Sequence, residues 1–286
     1  MPITPENLAA SVAGVQARIA EAARRSGRDP AAVRLIAVTK YVDLDAIRSL
    51  LAIGLRDFGE SRVQQLTERA AELEAARRRW DELPGQRWEL LPPIQTEEEY
   101  TEISAGRRTY PEAPLDVRPN WHFIGNLQRN KVRAALGVTT ILHAVDSIRL
   151  AEAISRVAIE LNTGVDVFLE LNIAGEASKH GVSPAEADAV AEAISGLQAV
   201  RLRGLMTMAP AADAGDAARP HFARLRELRD RWLKAGVVSK SCTELSMGMS
   251  GDFEAAILEG STCVRLGSVL YGSAAAVQNP VQNPPA

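Results

Sequence analysis

The sequence predicts an α/β protein built as a single (β/α)8 barrel. Eight short apolar runs alternate with helix-like stretches along the 286 residues, and parallel strands need helical crossovers of this kind. A chain slightly longer than about 250 residues is the usual size of such a barrel. A doubly wound open sheet is the alternative, but no Gly-x-Gly-x-x-Gly sequence follows the first run, which disfavours it.

The first elements are predicted from apolar periodicity. A helix is expected where apolar residues recur every three or four positions, at Leu8, Val12, Val15 and Ile19. After Gly27 the short, partly β-branched run 33–38 predicts a buried strand. A second helix is expected to follow it, with Leu44, Ile47 and Leu51 on one side.

Seven further strands are predicted from the remaining short apolar runs. They span residues 56–58, 121–124, 141–145, 165–171, 202–206, 242–245 and 262–266. The clearest helices between them cover residues 148–161 and 219–234. Another helix is expected to open at Ser183-Pro184-Ala185-Glu186, which has the spacing of a capping box.

The barrel is predicted to occupy residues 1–272. Residues 77–118 separate the second and third strands, and they carry a basic run, an acidic run and several prolines. This composition predicts a surface insertion. Residues 273–286 contain the sequence Val-Gln-Asn-Pro twice and are expected to be a disordered tail.

Composition argues against several classes of protein. The formal charge is −3 and the sequence pI is about 5.9, which disfavours nucleic-acid binding. The apolar runs are shorter than the roughly 18 residues of a membrane span. The first residues lack the pattern of a signal peptide, so a cytoplasmic protein is expected.

The cysteines and histidines give no sign of a metal site. Cys242 and Cys263 cannot form a disulfide scaffold or a four-cysteine zinc site. Both lie in predicted strands, where buried inert thiols are expected. His122 is predicted to be a core histidine with satisfied hydrogen bonds. The other histidines, His143, His180 and His221, show no metal-binding spacing.

Lys40 is the first candidate for chemistry. The active site of such a barrel is built at the carboxyl ends of the strands, and Lys40 follows the first strand. A lysine partly withdrawn from water can offer a neutral amine for imine formation. The alternative is an ordinary surface lysine in a loop.

The last two predicted strands end in groups suited to an anion. The seventh is followed by Ser246-Met-Gly-Met-Ser250-Gly-Asp252, and the eighth contains Arg265 and is followed by Gly267 and Ser268. Hydroxyls and free backbone N–H groups can hold a phosphate. The alternative is that these residues only form tight turns and helix caps, which use the same residue types. A lysine and a phosphate cradle together suit a phosphorylated aldehyde or ketone.

Arg265 should also need a partner. Its charge lies within a predicted buried strand, where isolation costs free energy. Asp166 and Glu170 alternate with apolar residues in the fifth strand, so one of them is expected to point into the barrel.

Several longer motifs carry a family resemblance. They are AVTK (37–40), FGESRVQQ (58–65), WHFIGNLQRNK (121–131), NIAGEASKHG (172–181), LRGLMTM (202–208) and the stretch 244–272. With these motifs the chain resembles the pyridoxal phosphate homeostasis proteins, the YggS/PROSC family of pyridoxal phosphate (PLP)-binding proteins. The resemblance implies a single (β/α)8 barrel related to the N-terminal domain of alanine racemase, without the second β domain.

The same resemblance implies roles for individual residues. Lys40 matches the lysine that holds PLP as a Schiff base, and Arg265 matches the arginine that faces the pyridine nitrogen. The phosphate-binding positions of the family are matched by Ser246, Gly267 and Ser268. Two departures stand out: Ser61 replaces a frequent Asn, and Ser268 replaces a frequent Thr while keeping the hydroxyl.

The function implied is PLP homeostasis, with the chain acting as a carrier or regulator that hands PLP to PLP-dependent apo-enzymes. An arginine at the ring nitrogen disfavours its protonation, which weakens the ring as an electron sink. Only residues 273–286 follow the barrel, so no second domain is expected and a monomer is favoured. The alternatives are a PLP-dependent racemase-like enzyme and an aldolase-type barrel that uses Lys40 without PLP.

Overall fold

The computed structural model of the chain describes residues 5–81, 118–176 and 180–272. Most of the predicted insertion at 77–118 and the whole predicted tail at 273–286 lie outside these residues. Both therefore stay predictions.

Eight parallel strands close into a barrel in chain order, and the last pairs with the first. They are β1 (Arg34–Val38), β2 (Asp57–Glu60), β3 (Asn120–Phe123), β4 (Ile141–Val145), β5 (Val165–Glu170), β6 (Val200–Met206), β7 (Glu244–Ser246) and β8 (Cys263–Leu266). The predicted (β/α)8 barrel is confirmed. One detail is wrong: Cys242 precedes β7, because its N–H bonds the carbonyl of Ser239 in a turn.

One helix, α1 (Pro5–Arg25), precedes the barrel, and a helix follows every strand. These are α2 (Leu44–Ala52), α3 (Val63–Asp81), α4 (Val132–Leu136), α5 (Ile148–Glu160), α6 (Ala187–Ser195), α7 (Arg219–Ala235), α8 (Phe253–Leu258) and α9 (Ser268–Tyr271). None of the helices in the described ranges is long and apolar enough to cross a membrane.

Side-chain caps fix where some helices begin. Asp43 accepts from the N–H of Ala46 at 2.9 Å and so starts α2. The helix expected to open at Ser183 begins later, at Ala187. The Ser183 hydroxyl donates to the Glu186 side chain at 2.6 Å instead of capping a backbone N–H, and the backbone there forms a turn.

The apolar residues form two layers. The larger layer lies between the strands and the helices, and the smaller one lies inside the barrel and comprises Ile36, Phe168, Met206 and Cys263. Successive side chains of a strand point to opposite faces. In β8, Val264 and Leu266 belong to the outer layer, so Arg265 points inward.

The first helix, α1, packs on the outside of the barrel beside α8 and α9. Ser11 donates to the carbonyl of Val269 at 3.1 Å, and Arg18 donates twice to Glu254 at 3.0 and 2.9 Å. The predicted apolar face of α1 is confirmed, because Leu8, Val12, Val15 and Ile19 are all buried.

Candidate functional site

Lys40 lies at the carboxyl end of the barrel beside the end of β8. Ala37 of β1 pairs with Leu266 of β8, so Lys40 and Gly267 leave the barrel from neighbouring strands. Lys40 is half-buried, and its Nζ is 4.7 Å from the centroid of the Tyr41 ring. The predicted position of this lysine at the mouth agrees with the structure.

A buried carboxylate fixes the turn that carries Lys40. The hydroxyl of Thr39 donates to Glu60 at 2.5 Å, and Arg69 donates both to Glu60 and to the carbonyls of Thr39 and Val42. Burial raises the pKa of Glu60, against the opposing charges of Arg69 and Lys40. No single stretch of the sequence predicts this group, because its members lie on three different elements.

Donors converge at the start of α9. The backbone N–H groups of Gly267 and Val269 both lie on the hydroxyl oxygen of Ser250, at 3.3 and 3.2 Å. Ser268 is exposed beside them. The sequence indicates Ser250 only as part of its loop, and the structure places it with the predicted positions Gly267 and Ser268. Hydroxyls and N–H donors in one place suit a phosphate group.

The loop that carries Ser250 depends on a glycine. Gly248 has φ of +99°, and a Cβ there would lie 2.7 Å from the Cβ of Ala256. The loop is also fixed by Asp252, which accepts from the N–H of Met249 at 2.6 Å. The backbone of this loop is therefore held before any ligand arrives.

Arg265 has polar, uncharged partners inside the barrel. Its Nη1 donates to Ser246 at 2.6 Å and its Nη2 to the carbonyl of Thr207 at 3.1 Å. Asp166 bonds Arg201 instead, at 2.6 Å. Burial lowers the pKa of Arg265, and the negative charge of the buried Glu170 opposes that effect. Glu170 acts here through its charge rather than through a hydrogen bond to Arg265.

Ser246 lies below Arg265 as the last residue of β7 and is fully buried. Besides the bond from Arg265, its hydroxyl oxygen lies 2.7 Å from Nδ1 of His143. Its contacts are thus with the arginine and a histidine, whereas Ser250 contacts the N–H groups at the start of α9.

Two histidines continue this line of contacts. His143 Nε2 is 2.9 Å from His122 Nδ1, and His122 Nε2 is 2.9 Å from Asp57. Both ring nitrogens of His122 are paired, so the predicted satisfied core histidine is confirmed. His143 also stacks on Phe168, with centroids 4.2 Å apart. No group of three metal-binding side chains occurs within residues 5–81, 118–176 and 180–272.

The two cysteines are buried and free. Burial raises the pKa of both thiols, Cys242 and Cys263, to about 12. The expectation that both cysteines are buried is confirmed, and a thiol that stays protonated is a poor nucleophile.

A family model described as the N-terminal domain of alanine racemase matches residues 11–275. The pyridoxal phosphate homeostasis protein of Pseudomonas aeruginosa is 37% identical over 266 residues, covering 93% of this chain and 95% of that protein. The chain belongs to the pyridoxal phosphate homeostasis protein family. The family member of Escherichia coli is 31% identical, and the match covers 93% of this chain and 97% of that protein.

Solved structures agree with this assignment. PipY of Synechococcus elongatus, solved with PLP bound, is 31% identical with a TM-score of 0.67, covering 93% of this chain and 100% of that one. A protein of Bifidobacterium adolescentis is 35% identical with a TM-score of 0.75, covering 95% and 98%. Alanine racemase of Clostridium difficile is 15% identical with a TM-score of 0.53. It shares the fold of this family, and the match covers 84% of this chain and 51% of that one.

Proposed function

We propose that this chain binds PLP and acts in PLP homeostasis as a carrier or regulator without robust turnover. The observation that carries the proposal is the placement of Lys40 beside Gly267 on neighbouring strands, with Arg265 inside the same barrel. The names of the relatives and the PLP bound to PipY support it.

The amine and the hydrogen-bond donors at the mouth of the barrel fit three functional groups of PLP, which are its aldehyde, its pyridine nitrogen and its phosphate. Lys40 offers an amine to an aldehyde, which it would hold as a Schiff base. Arg265 offers a cationic N–H donor to a pyridine nitrogen. Gly267, Ser268 and Ser250 offer N–H and hydroxyl donors to a phosphate. The family resemblance implies a phosphate-binding role for Ser246, and its contacts favour a role in holding Arg265 instead.

When bound, PLP supplies a conjugated ring that can accept electrons from a substrate carbanion. Arg265 is always protonated and can only donate, so a hydrogen bond from it would occupy the single lone pair of the ring nitrogen and disfavour protonation there. The ring then stays a weak electron sink, which favours carriage of PLP over turnover. We further propose that the chain works as a monomer that delivers PLP to PLP-dependent apo-enzymes.

Three measurements on the purified chain test this function. Bound PLP is followed by its visible absorbance, and its transfer is followed by the activity gained by a PLP-dependent apo-enzyme. Exchange of the α-proton of amino acids is measured in deuterated water. The proposal expects absorbance and transfer with negligible exchange. Rapid exchange would favour the racemase-like alternative, and a chain that takes up no PLP would refute the proposal.

A further inference from the structure

A line of hydrogen bonds runs inside the barrel from β2 to Arg265. Asp57 contacts His122 at 2.9 Å, His122 contacts His143 at 2.9 Å, and His143 contacts Ser246 at 2.7 Å. Ser246 then accepts from Arg265 at 2.6 Å. Four strands thus contribute one side chain each to a path that ends on the arginine of β8.

We propose that all the hydrogen bonds of this path donate in the same direction and that the path, here called the relay, positions Arg265 for PLP. The relay comprises Asp57, His122, His143 and Ser246. The inference rests on the proposed function, because it assigns the relay a role in PLP binding. None of the four residues is proposed to touch PLP, so they are positioning residues rather than catalytic ones.

The direction of the relay follows from its arginine end. A guanidinium can only donate, so the oxygen of Ser246 accepts from Arg265. Ser246 is fully buried, and an unpaired hydroxyl hydrogen there would cost free energy. Its hydrogen therefore points to Nδ1 of His143, which must carry a lone pair.

The histidine in the middle agrees with this direction. Burial, with the charges of His122 and Arg265, lowers the pKa of His143 well below its usual value, so the ring is neutral and carries one N–H. With a lone pair on Nδ1, that N–H is on Nε2 and donates to Nδ1 of His122. The N–H of His122 is then on Nε2, facing Asp57.

The carboxylate end requires the same order. Burial alone would raise the pKa of Asp57, but the hydrogen bond from His122 and the charge of Arg34 bring it below its usual value. An ionised carboxylate can only accept, so His122 must donate from Nε2. The hydrogen positions on the two histidines that are deduced from Arg265 therefore agree with those deduced from Asp57.

The relay fixes one of the two anchors of the guanidinium. Hydrogen bonds that all point the same way polarise one another, so the lone pair of Ser246 is held towards Nη1. The carbonyl of Thr207 holds Nη2 at 3.1 Å. These two hydrogen bonds hold the planar guanidinium at two nitrogens, which sets the orientation of a long and otherwise flexible side chain.

The decisive variant is Asp57→Asn, and Asp166→Asn is its control. Asp166 also lies near the start of a strand, but it bonds Arg201 outside the relay. An amide at position 57 can donate to His122, which allows both histidines to switch to N–H on Nδ1. Ser246 would then face two donors, and we expect PLP to bind about five- to tenfold more weakly.

Two readouts are needed. NMR of the imidazole nitrogens, recorded on the protein without PLP, reports the tautomers of His122 and His143. An absorbance titration reports the dissociation constant of PLP. The wild type and Asp166→Asn are expected to show N–H on Nε2 at both histidines and equal affinity. Asp57→Asn is expected to show a changed tautomer and weaker binding.

Other results overturn the inference. N–H on Nδ1 of either histidine in the wild type refutes the direction of the relay. A lower melting temperature of Asp57→Asn with unchanged PLP affinity indicates a purely structural role. If Asp57→Asn does not fold, Ser246→Ala replaces it in the titration, with the same expected weakening. A wild type that binds no PLP refutes the proposed function, and the NMR result still decides the hydrogen-bond order.

Discussion

The Nζ of Lys40 lies 4.7 Å from the centroid of the Tyr41 ring. The face of an aromatic ring attracts an ammonium group, whereas attack on an aldehyde needs the neutral amine. Tyr41 is 46% exposed, so this contact borders solvent. This contact holds the Lys40 side chain at the mouth of the barrel.

The first prediction concerns this amine. Lys40→Ala is expected to remove the covalent attachment of PLP, because Lys40 is the lysine that leaves β1 beside the end of β8. Borohydride reduction followed by peptide mapping measures the attachment. Lys240→Ala, which changes an exposed lysine, is expected to bind PLP normally. A borohydride-stable adduct on another peptide of Lys40→Ala would show that the anchor is wrong or not unique.

The second prediction concerns the close approach of two loops at the mouth. A Cβ on Gly125 would lie 2.2 Å from the carbonyl oxygen of Ser61, so Gly125→Ala must displace backbone. We expect it to lower the free energy of unfolding by about 2 kcal/mol, measured by urea denaturation. Gly164→Ala, which meets nothing within 4 Å, is the control. Equal losses in the two variants would contradict the steric explanation.

Much of the barrel could be predicted because each strand carries its own signal. A run such as 165–171 is apolar on one face and is bounded by turns, and β5 covers most of that run. Lys40, Gly267 and Arg265 could also be placed, because the carboxyl ends of parallel strands meet at one edge.

The interior of the barrel could not be predicted in the same way. Alternation tells which side chains of one strand point inward, but it does not tell which residues of different strands lie at the same height. His122, His143 and Ser246 come from β3, β4 and β7, and only the closed sheet brings them together. Ser250 can be named from sequence only as part of its loop for a similar reason, since its partners lie on a different loop.

The third prediction concerns Glu259, which joins the end of α8 to α7. It accepts from Arg219 at 2.8 Å and from Arg226 at 2.5 Å. Burial tends to raise the pKa of Glu259, but the two guanidinium groups bring it below the ordinary value of 4.5. A carboxyl group with a lowered pKa in the folded state stabilises fully above its unfolded pKa and loses that contribution as the pH falls.

Glu259→Gln is therefore expected to lower the free energy of unfolding by about 1 kcal/mol at neutral pH. The difference from the wild type should shrink as the pH falls below 4.5, the ordinary value for the group. Urea denaturation at several pH values measures it. Glu227→Gln is the control, because that side chain is 69% exposed and lies 4.0 Å from Arg226. A difference that stays constant with pH would contradict the ion-pair explanation.

The fourth prediction concerns Arg265. Arg265→Gln removes the charge and leaves Ser246 and the carbonyl of Thr207 without their guanidinium donors. We expect a lower melting temperature without PLP, because buried acceptors lose partners. We also expect PLP to bind about tenfold more weakly or worse, because the donor to its ring nitrogen is weakened.

The two effects are separated by comparing melting temperatures with and without PLP. A ligand stabilises a protein only through its affinity for the folded state, so the rise caused by PLP should be smaller in Arg265→Gln than in the wild type. Arg201→Gln, whose side chain is 65% exposed, should keep the full rise. Lys40 is unchanged in both variants, so covalent attachment at saturating PLP is expected to persist. If Arg265→Gln lost the same amount with and without PLP, Arg265 would be a structural residue of the barrel and not a contact of PLP.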